Sequence, residues 1–468
     1  MMTMFSPLFK FSVLCLLAAS QGIGAAEPLS FESAWLRVKT DSDRLAGAVA
    51  GVQSKALQVQ GLQGLGGPTV SVTASSFVYN ANLAIDLDPL NQKLTQLEQG
   101  LPPSLQNVLG ALPIPQLPGS YALNRHGTVS TGSLSALWPI YVGGVSDAAR
   151  SFVSAQMIEA AAEADKTEHE LTTLLVQRYF GAQLAIKAAQ LRQSALEAIS
   201  QHDAAAQTML AAGAISRLER LQARVALEDA KRLSLKSQDD AELAATALAR
   251  TVNAGTTVTP VTPLFVLTQP LAPLPYFLDA AQLHHPALAK VAAKKAQAEQ
   301  LHRGQEALRR PQVFAFGQHE LKTSNADWMA GIGVRWTLFD SVDRDALAAS
   351  SQKTIEQAQR LDAQARSDIA LLVEKNWRAV EQSRRQFLAA QASLELAAEV
   401  LRLRTAALRA GTGTALELID GEVNQAKVQT ERAQMAYDYV LALAQLLESC
   451  GLSPQFSSYS ARADMKVE

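Results

Sequence analysis

Few side chains in this sequence have a type and spacing that could perform chemistry. His284-His285, before Pro286, offers imidazoles that could bind a metal or accept a proton. Neighbouring residues of a helix point apart, however, and no carboxylate or cysteine recurs at a metal-ligand spacing, so a structural role is favoured. The sequence has no glycine-rich phosphate loop and no nucleophile elbow. We therefore expect no catalytic residue, no metal site and no cofactor.

Two acidic residues form a more distinctive pattern. Glu417 and Asp420 are three positions apart, which places both carboxylates on one face of a helix. Such a face is often simply solvated, and the spacing alone leaves both interpretations open. The elements that would position this pair therefore matter.

The composition limits the class of protein. The 468 residues correspond to two or three ordinary domains, and 48% hydrophobic against 18% charged residues excludes intrinsic disorder. The formal net charge of −2 provides no basic surface for nucleic acid. Of the two cysteines, Cys15 lies in a segment that we expect to be removed, which leaves Cys450 without an internal disulfide partner.

The N-terminus has the pattern of a secretory signal. A lysine precedes an apolar stretch, 11–19, and Gly24-Ala25-Ala26 supplies the small residues of a cleavage site. We predict a signal peptide over residues 1–26, because the stretch is too short for a membrane anchor and the leucine before Cys15 disfavours lipid attachment. No later segment is long and apolar enough for a transmembrane helix, which leaves a periplasmic protein, a secreted protein or an outer-membrane β-barrel.

The mature sequence contains an internal duplication. Trp138-Pro139-Ile140-Tyr141 and Trp336-Thr337-Leu338-Phe339 are 336 − 138 = 198 positions apart. The same ungapped frame pairs Gly213 with Gly411, and each glycine interrupts a long helical pattern. Further pairs in this frame are Tyr179 with Trp377, Leu218 with Leu416, Glu219 with Glu417, Val225 with Val423 and Leu248 with Leu446. Chance similarity between alanine-rich helices does not readily explain these coincidences.

A second interval marks an insertion. Pro68 and Pro311 each precede a strand-like run and are 311 − 68 = 243 positions apart, so the first half carries 243 − 198 = 45 extra residues. We place them in a loop at about 80–125. A proline-rich linker, 255–276, separates the halves, because proline resists helix and supplies no ladder donor. The predicted divisions are a first half over 27–254, a second half over 277–452 and a C-terminal tail over 453–468.

Each half contains two predicted strands. They span about 68–79 and 128–139 in the first half, and about 311–321 and 328–339 in the second. In the fourth strand apolar residues alternate with small or polar ones, and this period of two predicts one apolar face. Trp328 and Trp336 on that face would lie about 19 Å apart along a membrane normal if the strand tilts by roughly 45°. That spacing suits aromatic residues at two bilayer interfaces, whereas the alternative is a soluble sheet with two buried tryptophans.

The predicted helices are unusually long. Asp147–Gly213 and Asp345–Gly411 lack proline, and each would extend about 100 Å. The shorter segments are Phe31–Gly64, Ile215–Asn253, Leu278–Leu308 and Ala415–Gly451. Each half is therefore predicted as helix, strand, strand, helix, helix. Four strands are too few to close a barrel, which needs about eight, and an open edge is not tolerated in lipid, so we predict an obligate oligomer.

An exported, duplicated chain with this order of elements resembles the TolC-type outer membrane factors, the exit ducts of tripartite efflux pumps and type I secretion systems. The resemblance covers about 31–452. It is carried by the strand-to-helix segments Trp138–Gly144 and Trp336–Asp340, which are similar to the family's pattern of an apolar residue, Phe, Asp and Gly. The turns Ala212–Glu219 and Ala410–Asp420 look like the family's glycine-containing turns between long and short helices.

The resemblance implies a mainly α fold that assembles as a homotrimer, with a 12-stranded outer-membrane β-barrel continuous with a periplasmic α-helical barrel. The helical turns would form the periplasmic tip and contact a periplasmic adaptor protein, while an inner-membrane transporter supplies energy. The implied tip residues are Gly213, Ala214, Ser216, Gly411, Thr412, Gly413 and Thr414. The aromatic residues expected at the interfaces with outer-membrane lipid are Trp138, Trp328 and Trp336.

The resemblance also implies a role for the acidic pair. It places Glu417 and Asp420, together with Glu219 of the first half, at the tip constriction. Three copies would then form rings of negative charge that favour cations and repel anions. The first half has Gln222 where Asp420 falls, so only the second half is fully acidic.

We therefore expect a passive channel of the outer membrane with a long periplasmic extension, gated at its tip, and not an enzyme. The competing interpretation is a periplasmic coiled-coil adaptor or scaffold, which would need neither four alternating strands nor the duplication. Drugs, metal ions, small metabolites and unfolded polypeptides remain open as cargo, and the partner pump could be driven by protons or by ATP.

Overall fold

The computed structural model describes residues 27–99, 117–321, 327–339 and 341–467. The predicted signal peptide, 1–26, lies outside these residues, as does part of the predicted loop at 80–125. The chain forms two compact units. The helical unit comprises the chain up to Gly61, Ser151–Glu299 and the chain from Ser350; the sheet unit comprises Leu62–Arg150 and Gln300–Ala349.

The protein is mainly helical. The described helices are α1 (Phe31–Asp41), α2 (Asp43–Gly61), α3 (Asp88–Gln99), α4 (Val145–Ala211), α5 (Arg217–Thr251), α6 (Leu274–His284), α7 (Pro286–Ala307), α8 (Arg344–Arg409), α9 (Ala415–Ser449) and α10 (Phe456–Ala461). The described strands are β1 (Glu27–Leu29), β2 (Thr69–Asp86), β3 (Ser120–Tyr141), β4 (Val258–Pro260), β5 (Leu264–Val266), β6 (Gln312–Glu320), β7 (Trp328–Arg335) and β8 (Met465–Val467). None of these helices has a stretch long and apolar enough to cross a membrane.

The first predicted helix of each half is divided in two. Ser42 separates α1 from α2, and His285 separates α6 from α7; both residues have extended backbone angles. At His285 the cause is Pro286, which disfavours helical angles in the residue before it. At Ser42 the hydroxyl accepts a hydrogen bond from the Leu45 N–H, so the serine caps the start of α2 and competes with helix continuation.

The element bounds keep both intervals found in the sequence. Helices α1 and α6 each have 11 residues and begin 274 − 31 = 243 positions apart. Helices α5 and α9 each have 35 residues and begin 415 − 217 = 198 positions apart. Buried residues follow the first interval as well, in the pairs Ala34 and Phe277, Val38 and Ala281, and Leu45 and Leu288. The two halves therefore bury equivalent positions.

Aromatic side chains occupy the centre of the core of the helical unit. Each is almost fully buried, and the ring centroids of contacting pairs lie 4.9 to 6.0 Å apart. The residues are Phe31, Tyr179, Phe180, Phe265 and Phe456. Because they come from α1, α4, β5 and α10, this cluster joins segments that are far apart in the sequence.

Tyr179 bonds the long helix α4 to two segments that lie against it. Its hydroxyl donates to the carbonyl of Leu29 (2.7 Å) and accepts from the backbone N–H groups of Val261 (3.0 Å) and Thr262 (2.8 Å). Strands β1 and β4 pair in parallel, so the tyrosine binds the ends of both. Burial raises the pKa of the Tyr179 phenol, which therefore stays neutral and keeps the proton that it donates.

Trp377, the equivalent of Tyr179 in the second half, makes the corresponding bond from α8. Its indole Nε1 donates to the carbonyl of Ala272 (3.0 Å). Ala272 follows Leu29 by 272 − 29 = 243 positions, and each of these residues lies two positions before a short helix. In both halves the long helix thus holds the backbone that leads into the first helix.

A second pair of equivalent residues lies one helical turn further along. Gln183 donates to the carbonyl of Thr262 (2.9 Å), whereas Glu381 accepts from the N–H of Leu271 (3.0 Å). Arg384 accompanies Glu381 in a largely buried ion pair (2.8 Å). Both halves therefore retain a bond to the linker backbone at this position, although the donor of one is replaced by an acceptor in the other.

The predicted C-terminal tail, 453–468, is described as far as Val467 and is folded onto the same linker. It forms a 3-10 helix (Ser453–Gln455), then α10 and β8, and β8 pairs antiparallel with β5. The Asp464 carboxylate accepts hydrogen bonds from the Thr268 hydroxyl and from the Thr268 backbone N–H (2.9 Å), and these two bonds lower the pKa of Asp464. Buried Phe456 explains why the tail packs rather than projecting into solvent.

The sheet unit contains one antiparallel sheet with the strand order β2-β3-β6-β7. Strands β2 and β3 pair from Thr69↔Leu137 to Asp86↔Ser120 without a register shift. Strand β3 pairs with β6 only as far as Ser133↔Glu320, and the ladder is irregular after Pro139, which has no N–H to donate. Strand β7 pairs with β6 from Gln312↔Arg335 to His319↔Trp328.

The strands of the first half are longer than predicted. The prediction ended the first strand near residue 79 and began the second near 128, but β2 continues to Asp86 and β3 starts at Ser120. The predicted loop rests on the difference between the two sequence intervals, which does not reveal that both flanking strands continue, and the asparagines of this stretch locally favour turns. Cross-strand pairs such as Leu83 with Leu123 extend the ladder despite these residues. In the second half, by contrast, β7 ends at Arg335 rather than near 339.

The four-stranded part of the sheet has two chemically different faces. Its apolar face carries Val70, Val72, Ala74, Leu134, Ala136, Trp138, Val313, Ala315, Trp328, Ala330, Ile332 and Val334, with His319 as a polar exception between Leu134 and Trp328. Its hydroxyl face carries a row of serines and threonines, in which Ser71 bonds Ser135 (2.8 Å) and Ser75 bonds Thr131 (3.0 Å). On this second face the rings of Phe314 and Phe316 occupy the space where Gly333 and Gly331 lack a side chain.

We expect Tyr179→Phe to lower the midpoint of thermal unfolding of the purified protein, measured by circular dichroism at 222 nm. The substitution removes three hydrogen bonds and leaves the partly buried N–H of Thr262 without its acceptor, whereas Val261 and Leu29 still bond each other (3.1 Å). An unsatisfied buried group costs about 1–3 kcal/mol. Tyr276→Phe is the matched control, because the Tyr276 side chain is half-exposed. Equal midpoints for the two variants would contradict the role assigned to the Tyr179 hydroxyl.

Candidate functional site

The first group of predicted tip residues lies at the turn between α4 and α5. Gly213 has φ +70°, in the left-handed region that glycine adopts without strain. Its N–H donates to the carbonyl of Leu210 (3.0 Å), and the N–H of Ala214 donates to that of Met209 (2.8 Å). This pattern is a Schellman motif, which satisfies the last carbonyls of α4. Ser216 then begins α5 as its N-cap.

The second group lies at the turn between α8 and α9 and has the same geometry. Gly411 has φ +74°, and its N–H donates to the carbonyl of Leu408 (3.1 Å). Thr412 and Gly413 both donate to the carbonyl of Ala407, at 3.0 and 3.1 Å. A Cβ on Gly213 or Gly411 would meet no atom within 4 Å, so only the backbone angle requires glycine there.

Glu219 and Glu417 each complete a capping box, a role that the sequence interpretation missed. The Glu219 carboxylate accepts from the N–H of Ser216 (2.7 Å), and the Ser216 hydroxyl accepts from the N–H of Glu219 (3.2 Å). Thr414 and Glu417 repeat this exchange, at 3.1 and 3.2 Å. The signal was visible in the sequence as Ser or Thr followed three residues later by Glu.

The cap has an electrostatic consequence for Glu219. Its hydrogen bonds with Ser216, first of all the one from the backbone N–H, lower the pKa of the Glu219 carboxyl. The positive end of the helix dipole favours a carboxylate at this position as well. Glu219 is therefore held ionised and fixed in place at the start of α5.

Asp420 differs from Glu417 in its surroundings. Both side chains are exposed, and the two residues between them, Leu418 and Ile419, are buried. The Asp420 carboxylate has no hydrogen bond or ion pair to the part of the chain that the structure describes. The predicted pair thus consists of one carboxylate that caps a helix and one that is free to act on solvent and ions.

A small core lies directly beneath the turns and joins the two halves. It contains Ile199 and Ala206 of α4, Ala223, Leu227 and Ala230 of α5, and Ile419 of α9. Ile419 comes from the second half, whereas the other members come from the first. Close packing of these side chains therefore fixes the position of one turn relative to the other. A groove of about 260 Å³ beside this core is lined in part by Asp420, Arg192 and Arg232.

An ion pair that the sequence interpretation also missed holds α5 against α4. Arg220 forms a two-pronged pair with Asp203, at 2.6 and 3.2 Å, and also donates to Gln207 (2.7 Å). Both charged side chains are about nine-tenths buried, a setting in which loss of one partner is costly. The second half has Leu401 and Leu418 at the equivalent positions, so the two turns are clamped differently.

A contact between the halves involves a histidine. His202 Nε2 lies 3.6 Å from a carboxylate oxygen of Glu422, so α4 contacts α9 at the residue before Asp203.

His284 and His285, the residues considered for metal binding, lie elsewhere. His285 Nδ1 accepts from the N–H of Ala287 (3.1 Å) and caps the start of α7, in accordance with a structural role. Among the described residues, no cluster of His, Cys, Asp and Glu could hold a metal ion.

The three predicted interface aromatics are all exposed in the sheet unit. Trp328 is the first residue of β7, and Trp336 lies just after that strand, with its Nε1 donating to the Arg309 carbonyl (3.2 Å). Trp138 lies across from Ala315 on the apolar face. Between one half and three quarters of the surface of each tryptophan is exposed, so none of the three side chains is buried in a hydrophobic core of the single chain.

Comparison with known proteins places this geometry in a family. Residues 107–254 and 277–452 match the model of the outer membrane efflux protein family, with one matched segment in each half of the duplication. Together the two segments cover more than half of the chain. No curated protein sequence matches the chain significantly.

Solved outer-membrane channels share the fold. The Campylobacter jejuni CmeC outer membrane channel aligns with a TM-score of 0.71 and 14% identity over 99% of this chain and 98% of that one. The open state of the Neisseria gonorrhoeae MtrE channel gives 0.71 and 16% over 90% and 89%, and CusC gives 0.73 and 14% over 92% and 95%. The chain therefore belongs to the outer membrane efflux protein family, whose members are channels of the outer membrane rather than enzymes.

Proposed function

We propose that three copies of this chain form a passive exit duct, the outermost component of a tripartite efflux or type I secretion system. The observation that carries this proposal is the four-stranded sheet. Within the described residues its edge strands β2 and β7 lack a second neighbour, and its apolar face is exposed. The open edges require further strands that continue the sheet. The exposed apolar face requires an apolar environment such as the interior of a membrane.

A closed ring of sheets supplies both. In hydrocarbon every backbone N–H and C=O needs a partner, so an open strand edge is not viable. Pairing β7 of one copy with β2 of the next removes the edges, and three copies give a barrel of 12 strands. The apolar face would then contact lipid, with Trp138, Trp328 and Trp336 near its boundaries, and the hydroxyl face would line a wet interior.

The long helices would continue this barrel into the periplasm and end at the two turns. Of the seven proposed tip residues, all but Gly413 are exposed, as a surface that contacts a periplasmic adaptor must be. Energy would come from an inner-membrane transporter. Opening would require the tip helices to move apart, a shift that contacts with the adaptor would favour.

The acidic residues would act at the narrow end. Glu417 and Asp420 from three copies would form two rings of carboxylates, with Glu219 contributing from the first half. Such rings favour cations at a constriction. The capping geometry supports fixed positions for Glu219 and Glu417, and the unpaired carboxylate of Asp420 supports direct contact with passing ions.

We expect the detergent-corrected molar mass of the mature protein, extracted from the outer-membrane fraction, to correspond to three chains. Three sheets are the smallest ring of this unit that both removes all edges and leaves a wide interior. A monomer or a dimer of stable mass would contradict the trimer and with it the barrel.

Ile332→Lys should reduce the amount of trimer in the outer membrane. A lysine on the lipid side near the bilayer midplane costs about 2–4 kcal/mol in a barrel. Gln318→Lys is the matched control, because Gln318 lies on the opposite face of the neighbouring strand. Heat-modifiable mobility on gels would measure assembly, and equal losses for both variants would contradict the assignment of the two faces.

The double variant Glu417→Gln, Asp420→Asn should lower the cation-over-anion permeability ratio of the channel in planar bilayers, measured from the reversal potential in a KCl gradient. A unit charge at about 4 Å contributes about 1 kcal/mol even in bulk water, so losing the rings should change the ratio severalfold. Glutamine still accepts the N–H bond of a capping box, which keeps the helix start intact. Asp239→Asn, an exposed neutralisation within α5, is the control. An unchanged ratio would remove the pair as gate residues.

A further inference from the structure

The hairpin of β2 and β3 extends far beyond the rest of the sheet. Strand β3 loses its other neighbour, β6, after Ser133, while its pairing with β2 continues to Ser120. The two strands therefore run on alone as a ribbon, which we define as residues 76–86 and 120–130. From Ser130 to Ser120 the ribbon adds about 34 Å of strand at about 3.4 Å per residue. It leads away from the strand ends that connect to the helices, at Thr69 and Tyr141.

The polarity of the two faces is reversed along this ribbon. The ladder has no register shift, so side chains alternate strictly from Thr69 to Asp86. The side that carries serines and threonines in the four-stranded part carries, in the ribbon, Phe77, Tyr79, Ala81, Leu83, Ile85, Tyr121, Leu123 and Val129, together with Arg125. The side that is apolar in the four-stranded part becomes mainly polar, with Ser76, Asn80, Asn82, Asn124, His126 and Ser130; Val78 and the pair of Ala84 and Ala122 are the exceptions.

This reversal of polarity is expected for a part of the hairpin that lies outside the lipid bilayer. Outside a bilayer the outward face meets water, which suits the asparagines, and the inward face no longer needs the hydroxyl groups that suit a wet interior. The apolar side chains are uncovered in a single chain: Phe77, Leu83 and Tyr121 are each more than half exposed. A patch of this size is seldom left in water, and a two-stranded ribbon alone is only marginally stable.

We infer that the ribbons of three copies pack their apolar sides against one another above the outer membrane and cover the external mouth of the channel. The inference rests on the proposed trimer. It follows from continuity: the apolar side of the ribbon continues the face that would point to the barrel axis. Among the residues that the structure describes, the groups that would meet it there are the equivalent ribbons of the other two copies. Tyr79, whose ring lies 3.6 Å from the Cβ position of Gly127, shows that the ribbon already packs across its own strands on this side.

Single-cysteine variants of the full chain can test this packing. Leu83→Cys lies on the apolar side and Asn82→Cys on the polar side; both positions are exposed in one chain, so they differ only in the face they occupy. Leu123→Cys and Asn124→Cys form an independent pair on β3. The native Cys450 can remain, because burial raises the pKa of its thiol to about 12 and makes it unreactive. The wild-type chain measures background labelling.

The readouts are disulfide-linked dimers after mild oxidation of membranes and labelling of intact cells by a membrane-impermeant maleimide. Around a three-fold axis about two of every three apolar-side cysteines can be linked, provided that their Cα atoms approach within about 7 Å. We expect linked dimers and protection from the maleimide for Leu83→Cys and Leu123→Cys. For Asn82→Cys and Asn124→Cys we expect efficient labelling and few linked dimers.

Several outcomes would overturn the inference. Equal labelling of both faces would mean that the apolar side is open, and no labelling of either would mean that the ribbon is not external. Protection of Leu83→Cys and Leu123→Cys without any disulfide would mean that something other than a second copy covers them. The molar mass of the same preparations separates the two levels: trimers with open ribbons would refute this inference alone, whereas the absence of trimers would refute the proposed function.

Discussion

Hydrogen bonds from the middle of each long helix to the backbone beside it hold the helical unit together. Helices of 67 and 66 residues cannot bury a compact core along their whole length. The core is concentrated where other segments lie against them, and there Tyr179 and Trp377 anchor those segments. The Tyr179 bond is buried and the Trp377 bond is partly buried, so water competes little for the bonded groups, which favours one position of each segment.

The duplication preserves positions more strictly than it preserves chemistry. Tyr179 and Trp377 share a role with different rings, and Gln183 and Glu381 share one with opposite hydrogen-bonding groups. At the turns, the two capping boxes are alike, whereas the buried Asp203–Arg220 pair occurs in the first half alone. An internal repeat can therefore keep one framework while each copy becomes specialised at its end.

Local signals explain why much of the fold could be predicted from the sequence. Gly213 and Gly411 end their helices because the backbone there needs a positive φ, a requirement that a single residue type reveals. Long-range packing explains what could not be predicted. The asparagines of the β2–β3 ribbon favour turns locally, and only pairing with the opposite strand makes them part of a ladder. The Arg220 clamp likewise becomes visible only when α5 folds back along α4. Glu219 and Glu417 are an intermediate case. The capping-box spacing is visible in the sequence, but the prediction interpreted these glutamates only as charged residues of the constriction.

The small sheets of the helical unit carry a kinetic consequence. Glu27 pairs with Val258, 258 − 27 = 231 positions away, and Leu264 pairs with Val467, 467 − 264 = 203 positions away. Contacts of such large sequence separation form slowly, because a long loop must close before any bond is gained. An emerging chain must therefore keep β1 unpaired while 231 further residues are synthesised, and β5 unpaired while 203 are. During that interval the apolar side chains of these segments have no partner strand and are open to aggregation, so rapid local collapse cannot complete this part of the fold.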